Sequence, residues 1–553
     1  MSMRPCTTSS SPNVAAPEVR VGELRSRYAG PRICLASAVC DDHPAQDVAL
    51  TVVEADLSSC DVSYGELRER SERFAAALAG VGVGPGDSVA TLMGKSLDLV
   101  TALLGIWRRG AVYVPLFTAF APPAIELRPE ASAARVVVVD AGQRDKLDGL
   151  GGSWQTVIAG EPARDGDLTL AGLLEASQPG IASEAVGGDA PFIMIFTSGT
   201  TGAPKGVPTP VRAIGGMVAY LEYGFDLRDG DVYWNAADPG WAYGLFYAIV
   251  APLAACRRTI LLRAPFTPDL AWQVLSLHRV TNFAAAPTVY RALRNAQASM
   301  PQDLVLRCLS SAGEPLNPDV VAWAEETFGV PVRDHYGQTE LGMVIANGWH
   351  PDIRSPLKPG SMGHPLPGWD VQVLRDDADE IAAPGEAGRL AIDVHNSPAM
   401  TFAGYHQAPE RTTELMSRDG RWYLTGDAAS RDDEGYFFFS ARDDDVIIMA
   451  GYRIGPFDVE SVIADHPDVA EVAVVGVPDE LRGEVIEAFV VLHPQAAASD
   501  ELATELQQRV KSRYAAHAYP RAVHFVEALP RTPSGKVQRF LLRDRRRDEL
   551  ARG

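Results

Sequence analysis

FIMIFTSGTTGAPKGVP, residues 192–208, sets an apolar run, Phe192 to Phe196, directly before Thr197-Ser198-Gly199-Thr200-Thr201-Gly202, with Pro204 and Lys205 just beyond. The apolar run predicts a buried strand, and the hydroxyls and glycines after it predict a turn at the strand's end. Glycines let backbone N–H groups converge on an anion, hydroxyls add donors and Lys205 adds a point charge, so the loop reads as a cradle for a polyphosphate. The same composition also suits an ordinary flexible turn. The spacing is not GxxxxGK[ST], because Ala203 and Pro204 stand between Gly202 and Lys205, which disfavours a P-loop nucleoside triphosphatase.

Working outward, the flanks alternate helix and strand signals. Ser63 with Glu66 forms a capping box ahead of a helix from Tyr64, SVATLM reads as a strand, SLDLVTALLGIWRRG as a helix, and AVYVPL and RVVVVD as strands. Such alternation predicts α/β layers with mostly parallel strands, and TNFAAAP (281–287) and LVLRCLSSAGE (304–314) continue it. Between Leu357 and Val394, glycines, prolines and short alternating runs predict a small β-rich unit. A charged turn in SARDDDVIIMAGYRIG then leads into a last unit with its own helix and strand signals. The expected division is a flexible tail over 1–30, a large domain over 31–443 and a C-terminal domain over 444–553.

The chain's 553 residues exceed a single core, its apolar fraction of 46% is that of a globular protein, and no apolar run is long enough for a membrane span. The N-terminal residues lack an apolar signal-peptide core, giving the expectation of a cytoplasmic protein. Six cysteines without a CxxC pair indicate neither zinc nor a disulfide framework. A net charge of −21 argues against nucleic acid or an anionic membrane as partner. An anionic ligand would then need a local basic patch, and Arg531, Lys536, Arg539, Arg543 and Arg545 to Arg547 offer one, although a solvated basic tail reads the same way.

SSAGEP (310–315), DHYGQTE (334–340), YLTGDAA (423–429), ARDDDVIIMAGYRIG (441–455) and PRTPSGKVQR (530–539) follow the opening loop in order. Order and spacing together, over about residues 45–545, resemble the adenylate-forming superfamily, which includes acyl-CoA synthetases, peptide-synthetase adenylation domains and firefly luciferase. The resemblance implies an α/β fold with two α/β subdomains and a β-rich subdomain, hinged to a small mobile α+β domain. It also implies ATP, Mg²⁺ and CoA as cofactors and a small-molecule carboxylic acid as substrate. An anionic carboxylate must attack an anionic α-phosphate, so preorganised donors and a cation are the physical solution.

By the same resemblance, Thr197, Ser198, Gly199, Thr200, Thr201, Gly202 and Lys205 would close over the ATP phosphates. Glu340 would ligate Mg²⁺, and Thr339 would touch the α-phosphate. Tyr336 would stack on adenine with the Gly313-Glu314-Pro315 backbone opposite and Asp334 at the exocyclic amine. Asp427 would accept the ribose hydroxyls with help from Arg442. Lys536 would bridge the carboxylate and the α-phosphate during adenylation. Asp444 would be the hinge, after which Gly451 would border a thiol tunnel and Arg453 would hold adenylate phosphate or CoA. A homodimer, and silencing of Lys536 by a lysine acetyltransferase with reversal by a deacetylase, are further expectations of the resemblance.

The acyl pocket is less legible. Acetyl-CoA synthetases carry tryptophan where this chain has Gly337, so the resemblance implies a roomier pocket. Trp241 is the expected gate, and Ala242, Tyr243 and Phe246 are expected walls, although these aromatics also suit a plain core. The expected substrate is a medium-chain, branched, aromatic or polycyclic acid passed to free CoA. The alternative acceptor is a separate carrier protein's phosphopantetheine, and a catalytically dead homologue would be a binder or scaffold.

Overall fold

The computed structural model describes residues 16–162, 164, 167–197, 204–296, 299–442, 445–449, 452–479, 482–515, 517–531 and 536–552, with Tyr452, Arg453, Gly483, Ala551 and Arg552 described by backbone only. Ser198, Gly199, Thr200, Thr201, Gly202, Asp444 and Gly451 lie outside the described residues, as does the side chain of Arg453.

Two large sheets build the N-terminal domain. The first runs, in spatial order, through Lys205–Pro210, Pro191–Thr197, Val112–Pro115, Ser88–Leu92, Ala134–Asp140, Gln155–Ala159 and Leu168–Thr169. Only its first pair is antiparallel, and that pair flanks the loop expected to hold phosphates, with Thr197 opposite Lys205. Helices cover this sheet because their apolar stripes must be buried. Tyr64–Gly80 starts where Ser63 Oγ accepts the Glu66 amide at 3.2 Å, and Leu97–Arg108 starts where Ser96 Oγ accepts the Leu99 amide at 3.1 Å.

The second sheet has a parallel block, Val332–Gln338, Cys308–Ala312, Asn282–Ala285, Tyr233–Asn235, Thr259–Arg263 and Val48–Glu54. The LVLRCLSSAGE run is strand only over Cys308–Ala312. Past Val332–Gln338 every pairing is antiparallel, through Gly342–Ala346 and Ser361–Pro365 to the strands Phe437–Arg442, Trp422–Arg431, Ala387–Asp393 and Val371–Leu374. The β-rich unit expected between Leu357 and Val394 therefore extends to Arg442. Strand carboxyl ends of open parallel sheets form the crevices in which ligands sit, and Asn235, Ala312 and Gln338 mark those ends here.

The C-terminal domain has its own core, including Val459, Ile463, Val474, Ile486 and Leu506. Its sheet, of Tyr452–Ile454, Ile447–Met449, Gly483–Leu492 and Val469–Asp479 with Ala522–Phe525 beside Gly483–Leu492, packs against helices Pro456–Ala464, Asp500–Arg513 and Arg539–Arg552. It is docked on the larger domain, where Ser440 Oγ donates to Asp458 Oδ2 at 2.8 Å.

The tail expected over residues 1–30 needs correction. Pro17–Arg27 is a helix that packs on helix Ala213–Tyr223, burying Val21, Leu24 and Tyr28 to 7% exposure or less. Those three fall at helical spacing on one face, while Arg20 on another face pairs with Glu222 at 3.1 Å.

Candidate active site

The site grows from the carboxyl ends of the two sheets. The strand Val332–Gln338 turns tightly into Gly342–Ala346, so Thr339 and Glu340 stand at a hairpin tip. Tyr405 donates its hydroxyl to Glu340 Oε1 at 2.9 Å, and Lys205 Nζ lies 4.9 Å above the Tyr405 ring. The His406 amide donates to the Gly206 carbonyl at 2.8 Å, stitching this segment to the phosphate hairpin. Tyr405 thus joins Lys205 to Glu340, a role the sequence reading missed, since TFAGYHQAP reads only as a loop. Glu340 fits a magnesium ion: it is a hard donor with one oxygen oriented by a hydroxyl, and Mg²⁺ needs few protein ligands when substrate phosphates and waters supply the rest.

Tyr336 and Asp427 meet at once. The Tyr336 hydroxyl donates to Asp427 Oδ2 at 2.5 Å, and Gln338 Nε2 donates to the same oxygen at 2.8 Å and to the Thr425 carbonyl at 2.8 Å. Gln338, between two expected site residues, is a second omission. Asp427 is buried and stands opposite Arg442 on paired strands. Glu314 accepts from Thr288 Oγ1 at 3.0 Å and from Arg291 Nη2 at 3.1 Å, so its carboxylate is tied to helix Pro287–Asn295.

Asp334 pairs with Ser311 across the parallel strands, and its Oδ1 is buried without a hydrogen-bond partner. Burial pushes its carboxyl pKa well up, against the pull of the His335 and Leu316 amides. A buried acceptor with no donor fits an exocyclic amine of a bound base. Next to it His335 is held neutral: burial lowers its pKa to about 3, and Nδ1 lies 2.6 Å from the Tyr220 hydroxyl.

Lys536 enters the crevice from the C-terminal domain, its ammonium 5.6 Å above the Trp241 ring. Its side chain is solvent-exposed, with protein groups crowded around the ammonium. That crowding lowers its pKa, opposed by Glu314, reinforced by Arg442 and opposed again by Asp427. The basic patch expected around Lys536 is mostly spent within its own domain. Arg531 pairs with Glu471 at 2.7 Å, Arg539 with Glu460 at 2.8 Å, Arg543 with Asp445 at 2.8 Å and Arg546 with Glu487 at 2.7 Å.

On the acid side, a cavity of about 30 Å³ opens beside Thr339 and Glu340 and is walled by Met217, Phe246, Tyr247 and Met343. That volume holds a water or two, so an acyl tail must move a wall. Of the expected pocket residues, only Phe246 lines this cavity. Trp241 faces Phe117 and Lys536 instead, Tyr243 packs edge-on against Tyr247 at 5.6 Å, and Ala242 begins the short helix after Trp241. Tyr247, not foreseen, accepts the Met343 amide at 3.0 Å. The expectation that Gly337 opens space is corrected: a Cβ there would stand 2.2 Å from the Gly342 carbonyl oxygen. The missing side chain lets two strands approach closely and leaves no hole.

A buried aspartate on paired strands and a lysine delivered by a second domain thus meet at one crevice, the setting of a ligase that uses a nucleotide. The AMP-binding enzyme family model matches residues 37–406, and the AMP-binding enzyme C-terminal domain model matches 458–536. The chain belongs to this family, as an AMP-forming carboxylate–CoA ligase. It is 35% identical to an uncharacterized acyl–CoA ligase of Bacillus subtilis (strain 168), covering 87% of this chain and 90% of that one. It is 36% identical to the acetyl-coenzyme A synthetase of the same organism, over 87% and 84% of the two chains. Among solved structures it resembles a Brucella canis acyl-CoA synthetase, at 42% identity and TM-score 0.74 over 96% of this chain and 98% of that one. It also resembles a benzoate CoA ligase from Burkholderia xenovorans LB400, at 28% identity and TM-score 0.81 over 95% and 99%. Among the described residues no helix is long and apolar enough to cross a membrane.

Proposed function

We propose that the chain activates a medium-chain, branched, aromatic or polycyclic carboxylic acid with ATP and transfers the acyl group to free CoA. The observation that carries this reading is the convergence of Lys536 with Glu314, Asp427, Arg442 and Trp241 in one crevice while the C-terminal domain is docked. Lys536 neutralises charge between the attacking carboxylate and the α-phosphate. Lys205 and the hairpin hold the outer phosphates, Asp427 takes the ribose, and Asp334 accepts from the base. Glu340, oriented by Tyr405, would hold Mg²⁺, which supplies positive charge to the phosphate oxygens when bound. The acid's tail enters the cavity beside Thr339, where unbranched Met217 and Met343 give way at little cost.

The test is pyrophosphate and thioester formation from ATP, Mg²⁺ and a panel running from acetate through hexanoate and benzoate to a sterol acid, with and without CoA. Acid-dependent pyrophosphate with CoA-dependent thioester, greatest for hexanoate, benzoate or the sterol acid, is expected. Acetate as the best substrate would overturn the acid class, and pyrophosphate without thioester would overturn free CoA as acceptor.

A further inference from the structure

The segment 236–241 links strand Tyr233–Asn235 to the short helix Ala242–Gly244, and its shape is fixed from three directions. Lys95, just past the carboxyl end of Ser88–Leu92 in the other sheet, donates from Nζ to the Ala236 carbonyl at 2.7 Å. Asp238 Oδ1 accepts the Gly240 amide at 2.7 Å, and the Asp238 carbonyl accepts the Trp241 amide at 3.1 Å. Gly244 lies so close beneath that a Cβ would stand 2.1 Å from the Asp238 carbonyl oxygen. The outcome is a Trp241 ring set edge-on to Phe117, 6.0 Å between centroids, with Lys536 Nζ 5.6 Å from its centre.

A lysine is an expensive means of holding a carbonyl. Burial lowers the Lys95 pKa and Asp238 offsets this, while burial raises the Asp238 carboxyl pKa and Lys95 and the Gly240 amide offset that. The two groups support each other's charge in a place where neither is well hydrated. The lysine also spans the crevice, fastening a loop of the second sheet to the end of the first.

We infer that Lys95 is a positioning residue for adenylation: by gripping the Ala236 carbonyl it fixes the 236–241 loop, so that the face of Trp241 steadies the Lys536 ammonium over the reacting carboxylate. The contact is a cation over an indole face, whose attraction depends on ring orientation, so a small tilt of the loop moves the ammonium. The inference rests on the assignment of Lys536 to adenylation.

ATP–pyrophosphate exchange measures adenylation, and thioester formation from a supplied acyl adenylate and CoA measures thiolation. Lys95→Met, which keeps bulk and removes the donor, is expected to lower kcat/KM for the acid in adenylation by roughly tenfold to a hundredfold, the usual effect of misplacing a reacting group by about an ångström. Thiolation is expected to stay within about twofold, because the loss falls on one half-reaction. Lys95→Arg is expected to restore most of the rate. In a Trp241→Phe background, Lys95→Met should cost little more, because both changes break one chain of contacts. Losses that multiply in the double variant would overturn the inference, and so would equal losses in both half-reactions tracking a lower melting temperature. Lys536→Ala separates the two readings: retained adenylation would remove the underlying assignment, whereas a dead Lys536→Ala beside a fully active Lys95→Met would refute the positioning role alone.

Discussion

Gly337→Ala adds one methyl group at the strand end that leads to Thr339 and Glu340. That Cβ would meet the Gly342 carbonyl oxygen at 2.2 Å and both Cα and Sδ of Met343 at 2.8 Å, where ordinary contact begins at 3.4 Å. Met343 Sδ can swing aside, but the carbonyl is backbone, so the two strands must part by roughly 1 Å, at a cost of about 2 kcal/mol typical of overpacking. For a domain of about 400 residues that corresponds to an apparent melting temperature roughly 2 °C lower. Because the displaced hairpin carries Glu340 and Thr339, adenylation should fall by up to about a hundredfold. Scanning fluorimetry and pyrophosphate exchange with acetate, hexanoate and benzoate would measure both effects. All three acids should lose rate together, and Gly337→Trp should behave as a more severe version with no gain for acetate. Unchanged melting with losses confined to the longer acids would refute this reasoning and restore Gly337 as a pocket floor.

Lys536→Ala should abolish adenylation and leave thiolation of a supplied acyl adenylate largely intact, as the paired half-reaction assays would show; equal loss of both would contradict the division of labour. Tyr405→Phe keeps the ring beside Lys205 but removes the donor to Glu340, and should raise the Mg²⁺ concentration for half-maximal adenylation by roughly tenfold; an unchanged magnesium titration would rule this out. Asp458, whose pKa burial raises to about 6 against hydrogen bonds from Ser440 and Tyr514, holds its proton more tightly folded than unfolded. Its ionisation therefore costs stability as pH rises from about 4 through 6, so the stability gain of Asp458→Asn over the parent should grow across that window and then level off. A gain independent of pH would show that the carboxyl ionises without penalty.

The alternation of helix and strand, the cap at Ser63 and the strand Phe192 to Phe196 were legible because each is written within a few neighbouring residues. Residues of separate motifs, Tyr336, Asp427, Glu314 and Lys536, are brought together at one crevice. What could not be read was non-local. Gly337 looked like an absent indole, but what it accommodates is a carbonyl across a hairpin. The arginines around Lys536 looked like a patch for an anion, yet their partners, Glu471, Glu460 and Asp445, lie far back in sequence. Tyr405 carries no local signature of its contact with Glu340. The first helix was hidden because its buried face has only Val21, Leu24 and Tyr28, set among arginines and glutamates.

That first helix also has a bearing on how the enzyme can be altered. Val21 borders a small cavity with Gly216, Met343 and Trp369, three residues that also line the space beside Thr339. The helix Pro17–Arg27 therefore lies behind the cavity beside Thr339, contributed by a segment that, among the described residues 16–30, enters no sheet of the larger domain. Exchanging helix Pro17–Arg27 for the matching one of another family member would reshape the packing behind Gly216, Met343 and Trp369 without changing any residue of the loops and strand ends that border the crevice.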